Sequence, residues 1–204
     1  MALNERALAD DLFSVFDAMR DMTEDNDAYF AEQVAKVFTD WYNGGTAVTT
    51  ETGAFSGNAI ISAAGEGNPQ APAASLESVI STACSAMNGQ NSVLALAMGT
   101  GMIASVALPV QLAVDGMMAV PAPPASPVPT PFSGQSIGTV APVLAALPVT
   151  LLNIFESMND LPEGTDGNRY LADELAGALS SLAGATVASV GVPPLTGGGT
   201  GSIT

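Results

Sequence analysis

Apolar residues return at helical spacing in six stretches of the chain. Over residues 3–22, Leu8, Leu12, Val15, Phe16 and Met19 fall on one face of a 3.6-residue helix. The polar turn Thr23-Glu24-Asp25-Asn26 ends that helix and offers capping oxygens to the next. There Phe30, Val34, Val37, Phe38 and Trp41 repeat the spacing, and Asn43-Gly44-Gly45 stops it. Two amphipathic helices with a short turn predict an antiparallel hairpin. A second pair starts at Ser75 with Leu76, Val79, Ile80 and Ala83, turns at Asn88-Gly89-Gln90-Asn91, and continues as an apolar helix over 92–108. Gly99 and Gly101 weaken that helix and Pro109 ends it. In a third pair, Leu144, Leu147, Leu151, Phe155 and Met158 share a face, with Pro148 either kinking the helix or marking its start. Leu171, Leu175, Leu179 and Leu182 continue the pattern after the turn over 162–168.

The intervening stretches lack that pattern. Thr46-Ala47-Val48-Thr49-Thr50 reads as a short strand or an extended arm, and Gly53, Gly57, Gly65, Gly67 and Pro69 punctuate the remainder, as far as residue 74, as loop. Pro121, Pro123, Pro124, Pro127, Pro129 and Pro131 predict a semi-rigid polyproline linker. The expected fold is mainly α, with internally repeated helical hairpins joined by extended Pro/Gly-rich arms and little β. Its boundaries are a first hairpin at 1–48, a Gly-rich arm at 49–74 and a second, apolar hairpin at 75–118. A Pro-rich linker and arm at 119–138, a third hairpin at 139–189 and a Gly-rich tail at 190–204 complete it.

A threefold repeat at intervals of roughly 70 residues supports this division. Phe16-Asp17-Ala18-Met19 matches Phe155-Glu156-Ser157-Met158, and Tyr29-Phe30-Ala31-Glu32 matches Tyr170-Leu171-Ala172-Asp173. The middle copy is fainter, resting on Ala86-Met87-Asn88 and Val93-Leu94-Ala95. Phe55-Ser56-Gly57 is echoed by Phe132-Ser133-Gly134.

Charge narrows the partners. Twenty acidic residues face four basic ones, for a net charge of −16. Nucleic acid is excluded, because binding it means neutralising phosphates with Lys and Arg. An anionic membrane surface is disfavoured for the same reason, and a partner with a basic surface fits better. Charged residues are only 12% of the chain, well below the usual quarter, and long uncharged tracts suggest contacts with other subunits. Glu5, Asp10 and Asp11 stand where a signal peptide would be basic and then apolar, so synthesis in the cytoplasm without export is expected.

Candidate chemistry is sparse. The chain has no histidine and a single cysteine, Cys84, in a run of small residues that reads as buried packing. Asp21, Thr23, Asp25, Asp27 and Glu32 partly match a calcium loop, but Asn26 replaces the sharp-turn glycine. A calcium-dependent binding module is therefore one alternative. Residues 93–114 are uncharged and long enough to span a bilayer, so a membrane-active or pore-forming protein is another. Gly99, Gly101 and Pro109 argue against a span, as does the absence of nearby Lys or Arg. No nucleophile with a partner base and no phosphate loop is present, and the sequence predicts no catalytic, cofactor-binding or metal-binding residues.

The amphipathic hairpin followed by Val48-Thr49-Thr50-Glu51-Thr52-Gly53, Phe55-Ser56-Gly57 and an Ala/Gly/Pro-rich tract resembles small structural proteins of tailed phages and of phage-derived contractile injection particles. The resemblance covers about the first 65 residues. It implies a non-enzymatic component of a virion or assembled particle that contacts copies of itself or other particle subunits. Phe30, Phe38 and Trp41 on the first hairpin, with Phe55 and Phe132 on the arms, are the expected partner contacts, since aromatic anchors dominate interface energy.

Overall fold

In the computed structural model, which describes residues 3–86, 90–141 and 144–204, the chain runs through two helices and then two strands, three times over. Helices α1 (Glu5–Met19) and α2 (Asn26–Asn43) precede β1 (Ala47–Phe55) and β2 (Asn58–Gly67). Next come α3 (Ala73–Ala86), α4 (Asn91–Val106), β3 (Val110–Val120) and β4 (Val128–Val140). Finally α5 (Leu147–Ser157) and α6 (Gly167–Leu179) lead to β5 (Thr186–Val192) and β6 (Leu195–Ile203).

The helices form where the apolar spacing predicts them. Asn4 caps α1 by accepting from the backbone N–H groups of Arg6 and Ala7, and Leu8, Leu12, Val15 and Phe16 face inward. Asp166 caps α6 in the same way. Pro148 lies in the first turn of α5, where its missing N–H costs nothing, so it marks a start rather than a kink. Each helix packs on its neighbours in sequence, and α6 returns against α1 to close a ring of six. Along that seam Arg169 of α6 binds Asp10 of α1 and Asp173, each at 2.6 Å, and lies over the Phe13 ring at 5.6 Å. Asn168 Nδ2 donates to the Phe16 carbonyl at 3.1 Å. Inside the ring, Tyr42 stacks on Phe38 and its hydroxyl donates to the Val106 carbonyl, joining α2 to α4. Burial pushes the Tyr42 phenol up to about 12.

The six strands form one closed antiparallel barrel in sequence order, with β1 pairing β6 from Ala47↔Ile203 to Phe55↔Leu195. Odd strands leave the helix ring and even strands return to it. At that end Ala47, Val110, Leu112, Val140, Val187 and Ile203 merge with the helix core. At the far end, by the hairpin tips, Ala63, Val114, Phe132 and Leu195 make a second, smaller core flanked by Phe55, Ile60 and Met118. Six strands enclose less width than the eight that side chains comfortably fill, so glycines line the wall. A Cβ on Gly199 would lie 2.0 Å from the Thr50 carbonyl oxygen, so this residue lets β6 close against β1.

The expectation of a mainly α chain with little β is therefore overturned. The Gly-rich arm, the Pro-rich linker and the Gly-rich tail are largely barrel strands. The internal repeat of helical hairpins is corrected with it. No hairpin stands as a unit, because two strands of a shared barrel come after each one. The Phe55 and Phe132 echo is not a repeat either, since Phe55 ends an outgoing strand and Phe132 lies within a returning one. Met87, which anchors the middle copy, and the Asn88-Gly89 turn lie outside the described residues. Pro129 and Pro131 sit in β4 beyond the reach of β5, whose pairing begins at Gln135↔Val192. Proline is tolerated there because one edge of the strand is unpaired. Residues 93–114 divide between α4 and the start of β3, and among the described residues no helix is long and apolar enough to cross a membrane.

Closure of the two layers makes two outcomes testable. Gly199→Ala should lower the stability measured by urea unfolding by roughly 1–3 kcal/mol, because the new methyl meets backbone rather than a movable side chain. At the helix seam, the Arg169 hydrogen bond, supported by the charge and hydrogen bond of Arg6, holds the Asp10 carboxyl below its usual range against the opposing effect of desolvation. A depressed folded pKa means that the stabilisation is complete above the unfolded value, about 4, and is lost as pH falls through the folded one. Asp10→Asn should therefore melt lower than the parent protein at neutral pH, and the gap in melting temperature should close below about pH 4.

Candidate functional site

Strands alternate their side chains between the two faces, and β1 alternates Ala47, Thr49 and Glu51 inward with Val48, Thr50 and Thr52 outward. Glu51 is thereby carried into the barrel, where it is 1% exposed. Its Oε1 accepts hydrogen bonds from Thr49 Oγ1 at 2.6 Å, Ser189 Oγ at 2.6 Å and Ser136 Oγ at 3.0 Å. These donors come from β1, β5 and β4, so the carboxylate reaches across the barrel. On β2, Gly65 leaves the space it needs: a Cβ there would lie 2.5 Å from Thr49 Oγ1 and 3.0 Å from Glu51 Oε1. The other oxygen, Oε2, is buried with no hydrogen-bond partner among the described residues. Along β1 and β4 this polar layer falls between the two apolar clusters, and its side chains are buried.

A second feature lies outside, on the α3–α4 pair. Val79 and Leu96 are exposed there, as is Leu108 just beyond α4. Two shallow apolar grooves share Val79. One, of about 370 Å³, runs past Ala83, Val93 and Ala97, and the other, of about 220 Å³, past Leu76, Ala104 and Leu108. Between residues 73 and 106 the only charged side chain is Glu77. The remaining charge belongs mostly to α1, α2 and the α5–α6 stretch.

Of the expected contact residues, Phe38 and Phe132 are buried, and Phe30, Trp41 and Phe55 are half-buried. Phe38 is fully buried, packed with Trp41 and Tyr42. Trp41 is half-buried and donates its indole N–H to the Asn4 carbonyl at 3.0 Å. Phe30 is half-buried against Phe16, with ring centroids 6.2 Å apart. Phe55 and Phe132 stack on each other at 4.6 Å, and Phe132 is 7% exposed. These contacts hold the far end of the barrel and the α1–α2 pair together. Cys84 is buried, and burial pushes its thiol up, with Asp27 adding to the effect.

The calcium-loop residues do not converge. An open cleft of about 470 Å³ is walled by Thr23, Glu24, Asp25, Asn26 and Asp27, together with Ala28, Ser81 and Ser85, but not by Asp21 or Glu32. Among the described residues no group of three or more His, Cys, Asp or Glu side chains is arranged to hold a metal ion. The polar layer, by contrast, escaped the sequence reading. Its one signal was Thr49-Thr50-Glu51-Thr52, an acidic residue in phase with Thr49 on an alternating strand. Ser136 and Ser189 lie 85 and 138 residues away from Glu51, too far for any local pattern.

Removing one donor from a buried carboxylate leaves part of its desolvation uncompensated. Ser189→Ala should therefore cost about 1–3 kcal/mol in urea unfolding, whereas Thr50→Ala, on the exposed side of the same strand as Glu51, should change stability by no more than roughly 0.5 kcal/mol. No protein-family model, no curated protein and no solved structure matches the chain.

Proposed function

We propose that the protein is a non-enzymatic assembly subunit that associates with copies of itself through the outer face of the α3–α4 pair. A phage or phage-like particle is the setting its sequence resemblance implies. The observation that carries this reading is the segregation of charge. With −16 per chain, two copies repel wherever their acidic surfaces meet. Stretch 73–106 carries only Glu77, and it also exposes Val79 and Leu96, with Leu108 just beyond it, beside two apolar grooves. A basic partner would be drawn instead to the acidic α1–α2 and α5–α6 side. An uncharged, grooved helical face is best matched by another like it, and a two-fold contact would place each groove against its counterpart.

A non-enzymatic role is supported by how the chain uses its polar groups. The deepest carboxylate, Glu51, is closed between two apolar clusters. The carboxylates of the helix seam are engaged by arginines.

Sedimentation velocity over a concentration series tests the proposal. The parent chain should associate as concentration rises. Leu96→Lys, at a side chain 59% exposed, should weaken association by roughly a hundredfold or more, because each copy must desolvate an ammonium group. Its melting temperature as a monomer should be unchanged. A parent protein that stays monomeric throughout, indistinguishable from Leu96→Lys, would overturn the reading.

A further inference from the structure

Among the described residues, Glu51 is buried in the barrel without a counter-charge. Arg6, Arg20, Lys36 and Arg169 are the chain's only basic residues, and none lies on a strand. The three arginines are paired with Asp10, Asp17 and Asp173 on the helices. An ionised carboxylate held away from water is strongly disfavoured unless its charge is balanced. The two oxygens are also unequal: Oε1 accepts three hydroxyl hydrogen bonds, while Oε2 accepts none among the described residues. Hydrogen bonds to Oε1 orient the group but do not neutralise it.

The same hydroxyls offer a second capacity. Each gives its proton to Oε1 and keeps lone pairs free to act as ligands. The hydroxyl oxygens of Thr49, Ser136 and Ser189 all lie within 3.0 Å of Glu51 Oε1, so the carboxylate stands in an all-oxygen setting drawn from three strands. Oxygen-only sets of this kind select hard cations over transition metals. Charge decides the valence. A single carboxylate is neutralised by a monovalent ion, whereas a divalent ion would leave a net positive charge between two apolar clusters. A water molecule on Oε2 would satisfy its hydrogen bonding but leave the charge.

We propose that the barrel interior binds one monovalent alkali cation, sodium or potassium, between Glu51 Oε2 and the hydroxyl oxygens of Thr49, Ser136 and Ser189. Because apolar layers flank the site at both ends, the ion is enclosed as the barrel closes and serves as a structural ligand of the folded state.

The test is equilibrium refolding of the whole chain at pH 7 in sodium, potassium or choline chloride at matched ionic strength, with the urea midpoint as readout. Choline screens surface charge as well as the alkali ions do but is too large to enter. The parent protein should show a higher midpoint in sodium or potassium, rising with the logarithm of ion concentration. Glu51→Gln, which keeps the shape and removes the charge, should lose that dependence, and Ser136→Ala should reduce it. Equal midpoints for the parent protein in all three salts would overturn the proposal, pointing to a carboxyl that is hydrated or carries its own proton. An equal response in the parent and Glu51→Gln would also overturn it, by assigning the effect to the acidic surface. Should Glu51→Gln fail to fold, the parent's salt series and Ser136→Ala still decide.

Discussion

Closing six antiparallel strands into a single barrel sets the terms for the rest of the molecule. The interior of so narrow a barrel cannot hold a large side chain at every inward position. Gly65 and Gly199 yield space to the residues opposite them, and the larger groups gather at the two ends. Val110, Leu112, Val140 and Val187 face the helices at one end, while Phe55, Phe132 and Leu195 fill the other. What remains in the middle is a thin layer in which one carboxylate and three hydroxyls meet. The polar layer is thus a product of closure, since its members come from strands that only the barrel brings within hydrogen-bonding range.

Closure also ties the barrel to the helices. The first and last strands pair, and the first and last helices pack. The first and last elements meet in both layers at once: Thr46 and Thr204 exchange backbone hydrogen bonds at 2.9 Å, and Arg169 clamps α6 onto Asp10 of α1. Within each layer the order of contact follows the order of sequence. That places the nearly uncharged α3–α4 pair midway between the acidic α1–α2 and α5–α6 stretches. The separation of charged and uncharged surface, on which the assembly proposal rests, is therefore a direct consequence of chain order.

Legibility differed sharply between the two layers. All six helices could be read, because an amphipathic helix carries its burial pattern within a dozen residues, and Leu8, Leu12, Val15 and Phe16 of α1 are a simple instance. The strands could not, apart from the start of β1, where residues 46–50 read as a short strand or an extended arm. β2 and β6 consist largely of Ala, Gly, Ser and Thr, so inward and outward positions differ little in hydrophobicity. Pro129 and Pro131 argued for a linker, yet they occupy a part of β4 that extends past its neighbour and has no ladder on one side. The aromatic residues were conspicuous in the sequence, but Phe38 and Phe132 are used up inside the chain.

By itself, the sequence determined which stretches become helices, where charge accumulates and where it is missing. Each of these depends on residues close together in the chain: an N-cap, an apolar stripe, an unbroken uncharged run. Beyond the start of β1, tertiary structure alone decided that the intervening small-residue stretches are strands. It alone decided that they close on one another and that Glu51 meets Ser136 and Ser189. A strand of glycine and alanine has no strong preference of its own and gains its ladder only when distant partners supply the other half. A carboxylate among threonines reads as surface until closure turns that face of the strand inward.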